Sequence, residues 1–187
     1  EGGSALRFYA DKFDGGAPAS FELSEEDKKA ALARVSEEYK DMLKRAAANI
    51  REFHERQKRE GFSYTRPDGT VLGQKFTPIE KAGIYVPGGT ASYPSTVLMN
   101  AIPAKVAGVK EIVMATPPSR GGRIRGEIVA AADVAGVDRI FLIGGAGAIA
   151  ALAFGTESVP RVDKITGPGN IYVALAKKAV FGTVGID

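Results

Sequence analysis

Short apolar runs alternate with helical patterns in the second half of the chain, and this alternation predicts a parallel β-sheet. Four runs lack polar alternation, which is typical of strands buried on both faces of a sheet. The runs are 82–86, 111–115, 139–143 and 162–165. Helical patterns follow them at about 95–107, 126–135, 148–154 and 171–181. Strands that each lead into a helix imply right-handed crossovers. We therefore expect a doubly wound, Rossmann-like α/β domain over residues 77–187.

The first 76 residues carry a different pattern, which predicts a helical segment followed by a β-hairpin. An apolar stripe over residues 1–13 predicts a helix that stops at Asp14-Gly15-Gly16. A capping box at Ser24–Asp27 begins a second helical stretch, which extends to about Glu60. The hairpin follows over residues 62–76. We expect residues 1–76 to be part of an incomplete first domain.

The helical stretch that begins near residue 25 leaves two questions open. Ser36-Glu37-Glu38 is a second capping signal, so one long helix and two helices meeting near Val35 are both compatible with the sequence. The apolar stripe fits a coiled-coil partner or the body of the protein. We favour the body, because the stripe is rich in aromatic residues and alanine.

The four turns that follow the predicted strands should lie together at the carboxyl edge of the sheet, where open α/β sheets bind ligands. The third turn, Gly144–Gly147, matches the G-x-G-x-x-G/A pattern of dinucleotide-binding turns through Gly145, Gly147 and Ala150. Such a turn can also be glycine-rich for packing alone. A dinucleotide fold of this kind further requires an acidic residue at the end of the next strand. Asp163 and Glu157 are both misplaced for that role, since Asp163 is at the start of the strand and Glu157 is in the loop.

Two of the other turns carry side chains that are candidates for ligand binding. Tyr85 ends the first strand, where its ring would stack on a base or serve as an ordinary strand aromatic. Asn170 follows the fourth strand and would bind a ligand or cap the next helix. Arg120, Arg123 and Arg125 form a basic cluster, which we interpret as a solvated loop because no aromatic residues are interleaved with it.

Composition excludes several classes of function. The chain has no Cys, which excludes disulfides and cysteine zinc sites, and its single histidine, His54, cannot build a histidine-rich metal centre. We expect His54 to be a surface or lightly packed helical residue. A net charge of +3 is too small to indicate nucleic acid binding. No apolar run or leader pattern indicates a membrane, so we expect a cytoplasmic protein. No nucleophile or general base stands in a recognisable motif, so the residues alone predict a binding domain.

Three long stretches resemble the histidinol dehydrogenase family, and the resemblance covers essentially the whole chain. They are GIYVPGGTASYPSTVLMNAIPAKVAGVKEIVMATPP, IGGAGAIAALAFGTESVPRVDKITGPGN and NIREFHERQ. The resemblance implies a zinc-dependent homodimer that oxidises L-histidinol to L-histidine with NAD, in histidine biosynthesis. It also implies that the zinc ligands and the catalytic Glu-His pair lie beyond residue 187. We therefore expect a part of about the first half of the enzyme that is not catalytic alone.

The resemblance implies NAD contacts at Tyr85, Asn170 and position 147. The family carries glutamine at position 147 in the pattern GGAQA, whereas this chain has Gly147. Loss of one net hydrogen bond of about 0.5–1.5 kcal/mol would weaken NAD binding roughly twofold to tenfold. Two other hypotheses remain: an α/β module that binds NAD weakly or not at all, and a phosphate- or nucleic-acid-binding module.

Overall fold

Helices and strands alternate along the chain after an all-helical beginning. The computed structural model describes residues 2–88, 92–119 and 123–187. Its helices are α1 (Gly2–Phe13), α2 (Glu25–Leu32), α3 (Glu37–Glu55), α4 (Pro94–Val106), α5 (Gly126–Ala135), α6 (Gly145–Phe154) and α7 (Ile171–Val180). Its strands are β1 (Phe62–Thr65), β2 (Val71–Gln74), β3 (Lys81–Tyr85), β4 (Glu111–Thr116), β5 (Arg139–Leu142), β6 (Lys164–Thr166) and β7 (Gly185–Ile186).

Strands β3–β7 form a parallel sheet whose order creates a switch point. The order across the sheet is β5-β4-β3-β6-β7, and every neighbouring pair is parallel. The chain moves outward from β3 through β4 to β5 and then returns to the opposite side of β3 as β6. In open α/β sheets, ligands bind outside the carboxyl ends of the strands where the order reverses in this way. The crevice between the ends of β3 and β6 is therefore the default binding position.

Helices cover both faces of the sheet, so the doubly wound α/β prediction is confirmed. Alternate residues of β4 face opposite cores, as the twofold period of a strand requires. Ile112 and Met114 belong to one core, which α2, α3, α4 and α5 cover. Val113 and Ala115 belong to the other core, which α1, α6 and α7 cover. The strands are apolar on both faces for this reason.

The structure of the first 76 residues shows how many helices form between residues 25 and 60 and what their apolar stripe packs against. Two helices form instead of one, and Ser36 caps the second by accepting a hydrogen bond from the backbone amide of Tyr39. Helix α3 ends at Glu55, earlier than the expected Glu60, and packs on α4 and α5 of the same chain. The stripe therefore faces the body of the protein. Strands β1 and β2 form the expected antiparallel hairpin, whose residues are all exposed.

Several predicted boundaries were wrong, and the differences have physical causes. The third turn is not a loop before a helix at Ala148, because α6 already begins at Gly145 with Gly144 as its N-cap. Strand β6 begins at Lys164 and not at Val162, since pairing with β3 starts at Lys164. Strand β7 was missed because it has only two residues, and only its pairing with β6 makes it a strand.

An ion pair holds the segment before α2 on the outer edge of the sheet. Glu22 forms an antiparallel bridge with Phe141 of β5. The guanidinium of Arg139 donates two hydrogen bonds of 2.7 Å to the Glu22 carboxylate, one to each oxygen. This bidentate hydrogen bonding lowers the pKa of Glu22 below its ordinary value. The paired edge of β5 is thereby protected from pairing with another chain.

We expect Glu22→Gln to lower the free energy of unfolding at pH 7 by roughly 0.5–1 kcal/mol, because the pair is about one third exposed. A lowered folded-state pKa makes the stabilisation complete above the ordinary value of 4.5 and lost as the pH falls through the folded-state pKa. Urea denaturation at several pH values should therefore show the difference between variant and wild type shrinking toward acid pH. Glu60→Gln, at an exposed position between α3 and β1, is the control and should change nothing. A difference that persists at acid pH would contradict the assignment.

Candidate functional site

The three turns that carry the predicted site residues meet at the carboxyl edge of the sheet. Tyr85 ends β3, the glycine turn begins α6 after β5, and Asn170 begins α7 after β6. The Tyr85 hydroxyl accepts a hydrogen bond of 3.1 Å from the backbone amide of Gly145. The main chain of Gly167, after β6, lies directly against the main chain of Tyr85. Tyr85 therefore links the other two turns at the switch point.

Tyr85 is a core aromatic whose hydroxyl end reaches the glycine turn. Its relative exposure is 3%, and its ring belongs to the core beneath α6 and α7. Burial raises the pKa of Tyr85, the hydrogen bond from Gly145 opposes that shift, and the charge of Asp14 adds to it. The phenol is therefore neutral across the physiological range. In this conformation the hydroxyl, and not the face of the ring, is the part presented to the turn.

The glycine turn is glycine-rich partly because neighbouring turns press against it. A Cβ on Gly144 would lie 2.8 Å from the Pro117 side chain and 3.2 Å from the Asp14 carboxylate. Gly145 has a φ of +59°, in the left-handed region. Position 147 is different, since a Cβ there would meet only the Leu6 side chain, at an ordinary 3.5 Å, among the described atoms. Gly147 is therefore not required by sterics at its Cβ.

Asp14 packs against this turn, although its sequence context indicates only the end of α1. In the fold its half-buried carboxylate lies against Gly144. Burial raises the pKa of Asp14, and a hydrogen bond from the backbone of Gly144 opposes the shift. No local sequence signal identifies this contact, because 130 positions separate the two residues in the chain.

Asn170 caps the helix that follows the fourth turn. Its side-chain oxygen accepts hydrogen bonds of 3.1 Å from the backbone amides of both Tyr172 and Val173. The capping alternative is therefore realised. The cap uses only the oxygen of the carboxamide, and Asn170 is exposed. Its amide nitrogen is the donor that this residue can offer to a ligand while the cap stays intact.

An ion pair fixes the turn that precedes Asn170. Buried Lys177 donates hydrogen bonds to the Gly167 carbonyl and to the Asp187 carboxylate. The Asp187 carboxylate accepts a hydrogen bond of 2.9 Å from the backbone amide of Gly167. Burial alone would raise the pKa of Asp187, but hydrogen bonds from Lys177 and Gly167 lower it overall. These residues line an open cleft of about 680 Å³ beside α7. The sequence analysis missed both side chains, because nothing local links Lys177 to Asp187.

The two acidic residues considered as ribose ligands lie elsewhere. The Asp163 carboxylate accepts a hydrogen bond of 2.8 Å from the backbone amide of Lys81, at the amino end of β3. It is therefore at the opposite edge of the sheet, as expected. The Glu157 carboxylate accepts a hydrogen bond of 3.0 Å from the backbone amide of Gly3 at the start of α1. Neither carboxylate contacts the glycine turn.

The remaining candidates from the sequence add no chemistry to this edge. His54, at the end of α3, contacts the Gln57 side chain at 2.6 Å. Arg120 of the basic cluster and Gly89 of the first turn lie outside the described residues. Within the ranges that the structure describes, no group of three or more acidic or histidine side chains could hold a metal ion. Every described helix is also too short or too polar to cross a membrane.

Comparisons with known proteins point to one family. The family model described as histidinol dehydrogenase matches residues 1–187. Histidinol dehydrogenases from Pseudomonas fluorescens (strain Pf0-1) and Geobacillus kaustophilus are 59% and 55% identical to this chain over its whole length. A crystal structure of histidinol dehydrogenase from Elizabethkingia anophelis covers 99% of the chain with a TM-score of 0.93 at 41% identity. The chain spans only 43–44% of the length of these proteins.

We expect Tyr85→Phe to reduce the free energy of unfolding by about 1 kcal/mol at pH 7, because the Gly145 amide loses its acceptor. Since burial raises the pKa of Tyr85 in the fold, ionisation of the phenol is more costly in the folded than in the unfolded wild type, whose stability therefore falls as the pH rises above the ordinary value of 10.0. The difference between variant and wild type in urea denaturation should therefore shrink at alkaline pH. Tyr64→Phe, on the exposed hairpin, is the matched control and should be neutral. A constant difference across pH would count against a raised pKa for Tyr85.

Proposed function

Because this chain belongs to the histidinol dehydrogenase family, we propose that it is the NAD-binding part of an enzyme that oxidises L-histidinol to L-histidine. One observation carries the proposal: Tyr85, the glycine turn and Asn170 converge at the switch point of a doubly wound sheet. Dinucleotides bind at this position in sheets of the same architecture. We assign cofactor binding to residues 77–187, and to residues 1–76 the role of completing the fold around them.

The chain's own residues would bind and orient the cofactor. The glycine turn offers backbone amides at the amino end of α6, and the neutral Tyr85 hydroxyl fixes the position of that turn. The helix cap uses only the oxygen of the Asn170 carboxamide, so its amide nitrogen remains available as a donor to a ligand. When NAD is bound, it accepts the hydride of the oxidation. For zinc, the described residues offer no fitting set of ligands.

The rest of the enzyme's chemistry belongs to the segments of the relatives that this chain does not match. We propose that those segments supply the zinc site, the proton-transfer residues and most contacts to L-histidinol, and that the complete protein is a cytoplasmic homodimer. On this account the 187 residues alone bind NAD but do not turn over substrate. A chain that binds no NAD would instead be a non-catalytic α/β module.

Isothermal titration calorimetry with NAD distinguishes the NAD-binding chain from the non-catalytic module. Variants at position 147 make the test more specific. Gly147→Gln should strengthen NAD binding roughly twofold to tenfold, through one added hydrogen bond of about 0.5–1.5 kcal/mol. Gly147→Ala is the matched control, since it removes the backbone freedom of glycine just as the glutamine variant does, but adds no polar side chain. Both variants should gain up to about 1 kcal/mol of stability.

The proposal is supported if NAD binds the wild-type chain with a measurable heat and if only the Gly147→Gln variant binds NAD more tightly than wild type. If neither the wild-type chain nor Gly147→Gln binds NAD up to millimolar concentration, the proposal is rejected and the non-catalytic module is favoured. Binding of oligonucleotide that weakens steeply with salt would favour the nucleic-acid alternative.

The two roles assigned to Asn170 can be separated by two substitutions. Asn170→Ser keeps a side-chain oxygen that caps α7 but removes the amide donor, so stability should stay within a few tenths of a kcal/mol of wild type. NAD binding should weaken roughly twofold to tenfold. Asn170→Ala should lose about 1 kcal/mol of stability as well, because the cap is lost. Equal NAD affinity for the serine variant and the wild type would restrict Asn170 to a capping role.

A further inference from the structure

Asp14 introduces a negative charge into the turn that resembles a phosphate-binding motif. The residue follows α1, and Gly15 and Gly16, with φ values of +82° and +127°, turn the chain away after it. Its carboxylate lies against Gly144, the N-cap of α6, as described above. The amino end of α6 therefore already has an anion beside it, provided by the chain itself.

The charge of Asp14 is not neutralised by a cation in the part of the chain that the structure describes. Asp14 takes part in none of the ion pairs found among the described residues. Arg7, on the same helix, donates to the carbonyl oxygens of Pro18 and Ala19 at 3.0 and 3.2 Å. The phenol of Tyr85 is neutral. A half-buried carboxylate that has no counter-ion among the described residues repels a second anion at close range.

The space next to this carboxylate is open. A Cβ on Gly145, Gly15 or Gly16 would meet no described atom within 4 Å. The carboxylate has about four acceptor positions on its two oxygens, and only part of it lies against Gly144. The remaining positions suit two neighbouring hydroxyl groups, as on a ribose ring, and do not suit a phosphate. In dinucleotide-binding folds a carboxylate from the end of the next strand binds the ribose 2′-hydroxyl.

We propose that Asp14 is the specificity residue of this edge: it accepts hydrogen bonds from the adenosine ribose hydroxyls of NAD and excludes the 2′-phosphate of NADP. The inference rests on the proposed NAD binding. It supplies from the end of α1 the acidic group that neither Asp163 nor Glu157 provides. With Asp14 beside it, the glycine turn would bind the ribose of NAD and not the pyrophosphate.

The test compares dissociation constants for NAD and NADP in the 187-residue chain and two variants. Asp14→Asn keeps the size of the side chain but removes the charge, so NAD should bind about five- to tenfold more weakly. NADP should bind more tightly, so that the ratio of the two constants falls at least tenfold. Asp11→Asn is the control: Asp11 is exposed and accepts a hydrogen bond of 2.7 Å from the backbone of Ala17, away from the turn. It should leave the ratio unchanged.

The outcomes separate the two proposals. If the wild-type chain binds NAD and only Asp14→Asn lowers the preference over NADP, both are supported. If NAD binds but the ratio is the same in Asp14→Asn, or falls equally in Asp11→Asn, the role of Asp14 is overturned and NAD binding stands. A wild-type chain that binds NADP as tightly as NAD overturns the role of Asp14 without any variant. A chain that binds neither overturns both proposals.

Discussion

The reversal of strand order around β3 is the constraint on which the rest of this structure depends. Because β4 and β6 pair with opposite sides of β3, the chain must cross from β5 back over the sheet, and α6 makes that crossing. The turns after β3 and β6 are then neighbours, and the Tyr85 side chain reaches from the first of them to the turn after β5. The hydrogen bond from the Gly145 amide to the Tyr85 hydroxyl is the direct contact between two of them.

Crowding at this edge explains both its composition and its electrostatics. Gly144 and Gly167 lie so close to neighbouring main chain or side chains that a Cβ would clash. The same crowding buries the Tyr85 phenol and half-buries the Asp14 carboxylate, which raises the pKa of each. The Tyr85 hydroxyl is therefore neutral, and Asp14 is a charge that burial makes costly. Hydroxyl-bearing ligands match these two groups better than phosphates do.

The sequence predicted the layers of the fold well and the details of the site less well. Strands buried on both faces leave an unbroken apolar run, so four of the five strands of the sheet were found from residues alone. Strand β7 left no such trace, because two residues make a strand only through a partner. Tyr85 and Asn170 were found because they end a strand or begin a helix. Asp14 and the Lys177–Asp187 pair were not found as site residues, since their contacts depend on how distant segments pack. The G-x-G-x-x-G pattern was visible, but the carboxylate that changes its meaning was not.

The central claim is that the turns after β3, β5 and β6 together form the NAD site. Amide chemical shifts of the isotope-labelled chain, followed by NMR during titration with NAD, test it most directly. We expect the largest shifts at the amides of Gly144–Gly147 and of Gly167, Gly169 and Asn170, with the hairpin and the Asp163 edge of the sheet unchanged. Shifts confined to the opposite edge of the sheet, or to the hairpin, would contradict it.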